Sequence, residues 1–208
     1  MIKAIIFDFG GVIYETKWKE FDEFFSKKNG FSILVANSED KELIRIYKDS
    51  DLGKENFKKF FFRINPNIKD INKVLSDYKE GYSKFKIINK KLLKIIKNLR
   101  EKGLRLFGFT DIKREHYKAN IVSGIYNGFE EVFASYKFGH LKSKAEAFEK
   151  LIEELRRHSL DSSECIFIDD NLENIQRARE AGFEAIHYKD FPNTDNLEKE
   201  LFGKLRKK

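Results

Sequence analysis

A single cysteine, Cys165, leaves no partner for an internal disulfide and removes any thiolate metal cluster. It lies in the apolar run CIFI and reads as a small buried side chain. There are only two prolines, and one of them, in Asn65-Pro66-Asn67, interrupts a helical run. No apolar stretch approaches the length of a membrane span. Only seven residues precede Asp8, too few for the apolar region and cleavage site of a signal peptide. A cytoplasmic protein is therefore expected. There is no internal repeat and no low-complexity linker. His116, His158 and His187 fall in helical, surface-like or strand contexts, without a partner at metal-ligand spacing. His140, two residues before Lys142, is the one histidine placed to approach a bound phosphate.

What is abundant is aromatic and apolar. Of the 208 residues 41% are hydrophobic and 14% aromatic, led by 21 Phe, which supports a substantial core and excludes a disordered chain. The length suits one domain carrying a sizeable insertion. Lys and Arg number 41 against 34 Asp and Glu, a net charge of +7 that favours anionic substrates. The cations are dispersed through helical segments, apart from KLRKK at 204–208, so a solvated surface is preferred to a nucleic-acid site. FKKFFFR (57–63) mixes rings with cations as nucleic-acid platforms do. Its helical spacing instead predicts an amphipathic helix. Nothing in the sequence sets an oligomeric state.

Along the chain, residues 2–7 predict a buried strand that runs into a Gly10-Gly11 turn. From about Trp18 to Phe85 the apolar spacing is helical: Phe21, Phe24 and Phe25; Leu43, Ile44 and Tyr47; Phe57, Phe60, Phe61 and Ile64; Ile71, Val74, Leu75 and Tyr78. Strands and helices then alternate. Helices are expected at 89–102, 144–157, 172–181 and 194–206, and strands at 104–109, 131–136, 165–168 and 184–188. Gly103 and Gly182 end two of the helices. This alternation predicts an α/β protein, a Rossmann-like three-layer core with a parallel sheet and an inserted helical cap. The core would comprise residues 1–14 and 88–208, the cap residues 15–87.

Acidic groups stand at the ends of two of these strands. Asp8 ends IIF and precedes the glycine turn, and Asp169-Asp170 end CIFI. Open parallel sheets gather their chemistry at the carboxyl ends of strands, and hard oxygen ligands from two such ends suit Mg²⁺. Helix capping ahead of Leu172 is the competing reading of the Asp pair. Thr110, at the end of LRLFGF, has a hydroxyl to donate to a phosphate, and Lys142 in FGHLKSK a point charge. With a divalent ion to offset charge, Asp8 could act as a nucleophile on phosphorus.

FDFGGVI, the Thr after a strand, GHLKS, and FIDDNLEN running on to Ala181-Gly182 resemble, in order and interval, the four motifs of the haloacid dehalogenase-like hydrolases. DLGKENFKKFF is similar to a recurrent sequence of the helical-cap branch. The resemblance covers nearly the whole chain and implies a Mg²⁺-dependent phosphatase acting on a small phosphorylated metabolite. It implies Asp8 as nucleophile and metal ligand, the Gly10 carbonyl and Asp170 as further ligands, and Asp169 orienting a water of the ion. Thr110 and Lys142 would hold the phosphate, and Asn174 would support the loop.

Three positions depart from that pattern. Gly10 stands where phosphatases of the group carry an aspartate, a loss of an acid–base group that typically costs about 10²–10⁴-fold in rate. Asp111 replaces a neutral asparagine, and Ser143 a proline. Two rival readings follow: a metal-independent hydrolase of carbon–halogen bonds acting through Asp8, or a non-catalytic relative that binds phosphate or metal. Retention of Asp169-Asp170 favours phosphate chemistry. Trp18, Tyr14 and the cap phenylalanines are candidates for either the pocket or the core.

Overall fold

A computed structural model describes residues 1–34 and 38–206. Its centre is a five-stranded parallel sheet formed by β1 (Ala4–Phe7), β4 (Arg105–Thr110), β5 (Glu131–Ala134), β6 (Cys165–Asp169) and β7 (Glu184–His187), in the order β5-β4-β1-β6-β7. Register is continuous across the middle: Phe7 pairs with Gly108 on one side and Ile168 on the other. Both faces are buried, so the strands read as unbroken apolar runs rather than alternating ones. Ile5, Phe7, Ile166 and Ile168 face one core with α5 (Lys90–Glu101) and α10 (Asp195–Arg206). Ala4, Ile6, Phe107 and Phe167 face the other with α8 (Ala145–Arg157) and α9 (Leu172–Glu180). The result is the expected three-layer, Rossmann-like α/β fold.

The helix limits follow local chemistry. In α5 the Asn89 side chain accepts from the Leu92 N–H, and Leu92, Ile95, Ile96 and Leu99 are buried on one face. Gly103, at φ +83°, turns the chain into β4. The N-cap of α9 is Asn171, which accepts from Glu173 N and Asn174 N. Helix capping therefore does not account for Asp169-Asp170.

Between Trp18 and Lys84 run α1 (Trp18–Asn29), α2 (Lys41–Asp51), α3 (Lys58–Ile64) and α4 (Ile71–Lys84). Phe21, Phe25, Phe57, Phe60, Phe61 and Tyr78 pack there into a third core. Phe57 stacks on Phe60 at 5.0 Å, and Tyr78 meets four Phe rings edge-on or tilted. Most of the cap phenylalanines thus fill this core, although Phe62 is exposed.

Several elements differ from the sequence expectation. An antiparallel ribbon of β2 (Tyr14–Thr16) and β3 (Lys86–Ile88) flanks the helical segment, so the limits expected at 15 and 87 fall inside two paired strands. Three residues each are too few for a period-2 pattern. Residues 131–136 are not one strand: β5 stops at Ala134, and a short α7 (Ser135–Phe138) carries Tyr136. Helix α6 (Arg114–Val122) has buried His116, Ala119 and Asn120 in place of an apolar stripe, which hid it. His116 lies in a helix, one of the expected contexts, but is buried at 6% exposed. Lys207 and Lys208 of the basic KLRKK stretch lie outside the described residues.

Candidate active site

The carboxyl ends of β4, β1 and β6 lie side by side, and chain order brings Thr110, Asp8 and Asp169 to one edge. Asp8 N donates to Ile168 O at 2.8 Å, tying the first loop to the last of the three strands. Asp8, Gly10, Thr110, Lys142 and Asp170 line a single cleft of about 490 Å³. Asp169 is fully buried at its base. Asp8, Gly10, Thr110, Lys142, Asp169, Asp170 and Asn174 therefore meet, with Tyr14 and Trp18 on the same cleft, whereas His140 and the cap phenylalanines do not line it.

Lys142 is the hub of the arrangement. Its side chain is buried, and Nζ lies 2.9 Å from Asp8 Oδ1 and 2.6 Å from Asp169 Oδ2. Burial opposes the ammonium, but Asp169, Asp8 and Asp111 outweigh it and hold Lys142 above the ordinary lysine value. Asp169 is itself saturated: Asn171 N donates to Oδ1 at 2.8 Å, and Asn174 Nδ2 reaches both oxygens at 3.2 Å. Asn174 thus holds Asp169, and Asp169 holds Lys142. Asp111 turns its carboxylate onto the backbone N–H of Lys142, at 3.0 and 3.2 Å, so the extra acid orders the lysine loop.

The donor set suits a hard divalent cation. Asp8, Asp169 and Asp170 each bring a carboxylate oxygen to within 4.8 Å of the others. Two of these carboxylates, Asp8 and Asp169, share one ammonium, and Asp170 has no ion pair among the described residues. Burial, only partly countered by Lys142, pushes Asp8 up to about 7. Gly11, at φ +71°, makes the close approach possible: a Cβ there would fall 2.1 Å from Asp170 Oδ2. A Cβ on Gly10 would meet nothing within 4 Å, so its missing side chain is not a packing requirement.

The outer part of the cleft comes from residues that the motifs did not reveal. Lys113, 1% exposed, pairs with Asp51 at the end of α2 at 2.9 Å. Ser135 Oγ accepts from Ile112 N and donates to Asp51 O. These bonds join the loop after β4 to the helical segment. Tyr14 OH and Tyr82 OH lie 2.9 Å apart, and Asn120 Nδ2 donates to Tyr14 OH. His116 stacks on Tyr82 at 3.7 Å, and its Nε2 lies 2.8 Å from Tyr78 OH. Burial, reinforced by Lys113 and Lys86, holds His116 well below the usual histidine range. Of these, Tyr14 was a pocket candidate from the sequence and Asp51 opens DLGKENFKKFF, whereas no motif marks Lys113, Ser135, Tyr82, Asn120 or His116.

The haloacid dehalogenase-like hydrolase profile matches residues 2–182. The chain belongs to that family. Solved members share its fold at low identity. A haloacid dehalogenase family enzyme from Bacteroides thetaiotaomicron, BT-2542, superposes with TM-score 0.77 at 21% identity, over 95% of this chain and 98% of that one. The same enzyme in complex with magnesium and inorganic phosphate gives 0.76 at 21%, over 95% and 99%. A predicted haloacid dehalogenase-like hydrolase from Porphyromonas gingivalis gives 0.74 at 22%, over 100% of both chains. Comparison with curated protein sequences gives no significant match. Among the described residues, no helix of this family member is long and apolar enough to cross a membrane.

Proposed function

We propose that the chain is a cytoplasmic Mg²⁺-dependent phosphatase that hydrolyses a small phosphomonoester through an aspartyl-phosphate on Asp8. The observation that carries this reading is the single ammonium of Lys142 set between Asp8 and Asp169, with Asp170 and Thr110 opening on the same cleft. The Mg²⁺ and phosphate complex of the Bacteroides enzyme supports it. Asp8, the Gly10 carbonyl and Asp170 would hold the ion, while Asp169, saturated by its neighbours, fixes their surroundings. When bound, Mg²⁺ offsets the charge that an anionic substrate meets at these carboxylates.

In the first step an Asp8 oxygen bonds to phosphorus and the ester P–O bond breaks, the electron pair leaving with the alkoxide. Lys142 and the Thr110 hydroxyl hold the non-bridging oxygens as charge moves onto them. With glycine at position 10, the alkoxide takes its proton from water. In the second step water attacks the phosphoryl group on Asp8, releases phosphate and restores the carboxylate. The cap, residues 15–87, would exclude bulk water and contact the leaving group.

Hydrolysis of p-nitrophenyl phosphate with Mg²⁺, with EDTA and with Asp8→Asn tests this. Turnover is expected with Mg²⁺ alone. Turnover surviving EDTA would favour the metal-independent hydrolase, turnover surviving Asp8→Asn would remove the covalent mechanism, and Mg²⁺ binding without turnover would leave a non-catalytic relative.

A further inference from the structure

We propose that the substrate's leaving group is uncharged and ends in an apolar alkyl or aryl part, seated in a second cavity beside the catalytic cleft; this rests on the phosphatase reading. The second cavity, about 470 Å³, is lined by Ile33, Leu34, Ile44 and Tyr78 together with Trp18 and Tyr47. Trp18 and Tyr47 also wall the catalytic cleft, so the two spaces meet at these rings. That volume is within the range of small-molecule sites, which are mostly apolar with few polar groups.

The surroundings of the two rings argue for a ligand. Trp18 is 40% exposed and Leu34 44% exposed, two large apolar side chains open to solvent on the wall of the second cavity, and Trp18 also borders the charged cleft. Tyr47 is fixed from one side by Lys113, whose Nζ lies 3.4 Å from the ring centroid. Tyr78 has its hydroxyl bonded at His116. One wall is thus preorganised, and an apolar group gains by covering it.

Charge decides against a second anionic group. Among the residues lining the cleft, the cations are Lys113 and Lys142, and each is already in an ion pair: Lys113 with Asp51, Lys142 with Asp8 and Asp169. His116 is held neutral by burial, and Glu15 and Asp111 add negative charge. One phosphate takes Lys142, and a second would meet carboxylates. Lys48 at the rim of the apolar cavity is exposed and solvated.

The test is a chain-length series: kcat/KM for ethyl, butyl and hexyl phosphate with Mg²⁺, beside affinities of ethyl- and hexylphosphonate, which are not hydrolysed. Each buried methylene is worth about fourfold, so hexyl, two methylenes longer, is expected to exceed butyl by about 15-fold in kcat/KM and in phosphonate affinity. Leu34→Asp, at an exposed position, should cut the hexyl-to-ethyl ratio by about tenfold, and Trp18→Ala should lower it as well. Turnover of every ester with a flat series and flat phosphonate binding would overturn this inference and leave the phosphatase reading standing. Length-dependent phosphonate binding without turnover of any ester would support the cavity assignment and sink the phosphatase reading. Hexyl preference unchanged in both variants would also overturn the inference.

Discussion

Asp8→Asn is predicted to abolish turnover yet stabilise the metal-free protein. Asp8 is 7% exposed and shares the Lys142 ammonium with Asp169. Burial raises its carboxyl to about 7. Measured against an ordinary aspartate near 3.9, that rise corresponds to a ceiling of about 4 kcal/mol against folding with Asp8 ionised. The Lys142 attraction is already inside that figure, and relaxation of the folded chain around the charge lowers it further, so a net gain on the order of 1–3 kcal/mol is expected. For a chain of this size that is a rise in Tm of roughly 3–8 °C. The sign follows from proton binding. Between about pH 4 and pH 7 the folded chain holds a proton on Asp8 that the unfolded chain has released. The penalty therefore grows as pH rises through that window and vanishes below it. Thermal unfolding in EDTA across the window reads the difference between variant and parent. Added Mg²⁺ should narrow or reverse the gap, because only the parent gains the binding energy in full. A variant less stable than its parent at neutral pH in EDTA would refute the reasoning, as would a gap independent of pH.

Gly10→Asp places a carboxyl where a Cβ meets no atom within 4 Å, so the variant should fold and raise p-nitrophenyl phosphate turnover by about 10²-fold or more; no rise would mean another group already serves. Gly11→Ala forces a Cβ onto Asp170 Oδ2 at a φ of +71°, and Mg²⁺ affinity measured by calorimetry should fall about 10–100-fold. His116, kept neutral by burial, makes the fold less stable as pH drops below about 6.5, since only the unfolded chain takes up the proton there. His116→Gln should remove up to about 1.4 kcal/mol per pH unit of that acid slope, read as the Tm difference between pH about 6.5 and 5; an unchanged slope would show that His116 titrates normally.

The parallel sheet was legible because strands buried on both faces leave unbroken apolar runs, and three of those runs ended on a residue with chemistry. Asp8, Thr110 and Asp169 could be placed at strand ends from the chain alone. Lys142 could be placed only by its order, and its contact with two carboxylates belongs to tertiary structure. The ribbon of β2 and β3 was invisible because three-residue strands carry no period. Helix α6 was missed for a related reason: it buries His116 and Asn120, polar residues that answer to Tyr78, Tyr82 and Tyr14 across the fold. The role of Asp111 also belongs to tertiary structure: its carboxylate accepts the Lys142 N–H from a loop 31 residues further along the chain. The pairing of Lys113 with Asp51 joins segments far apart in the chain, and no local pattern announces it.

The most direct measurement is a crystal structure of the chain grown with Mg²⁺. The account predicts one ion with oxygens of both Asp8 and Asp170 at about 2.0–2.1 Å, in octahedral geometry. Electron density with the two carboxylates well ordered and no ion between them, at millimolar Mg²⁺ and neutral pH, would contradict it.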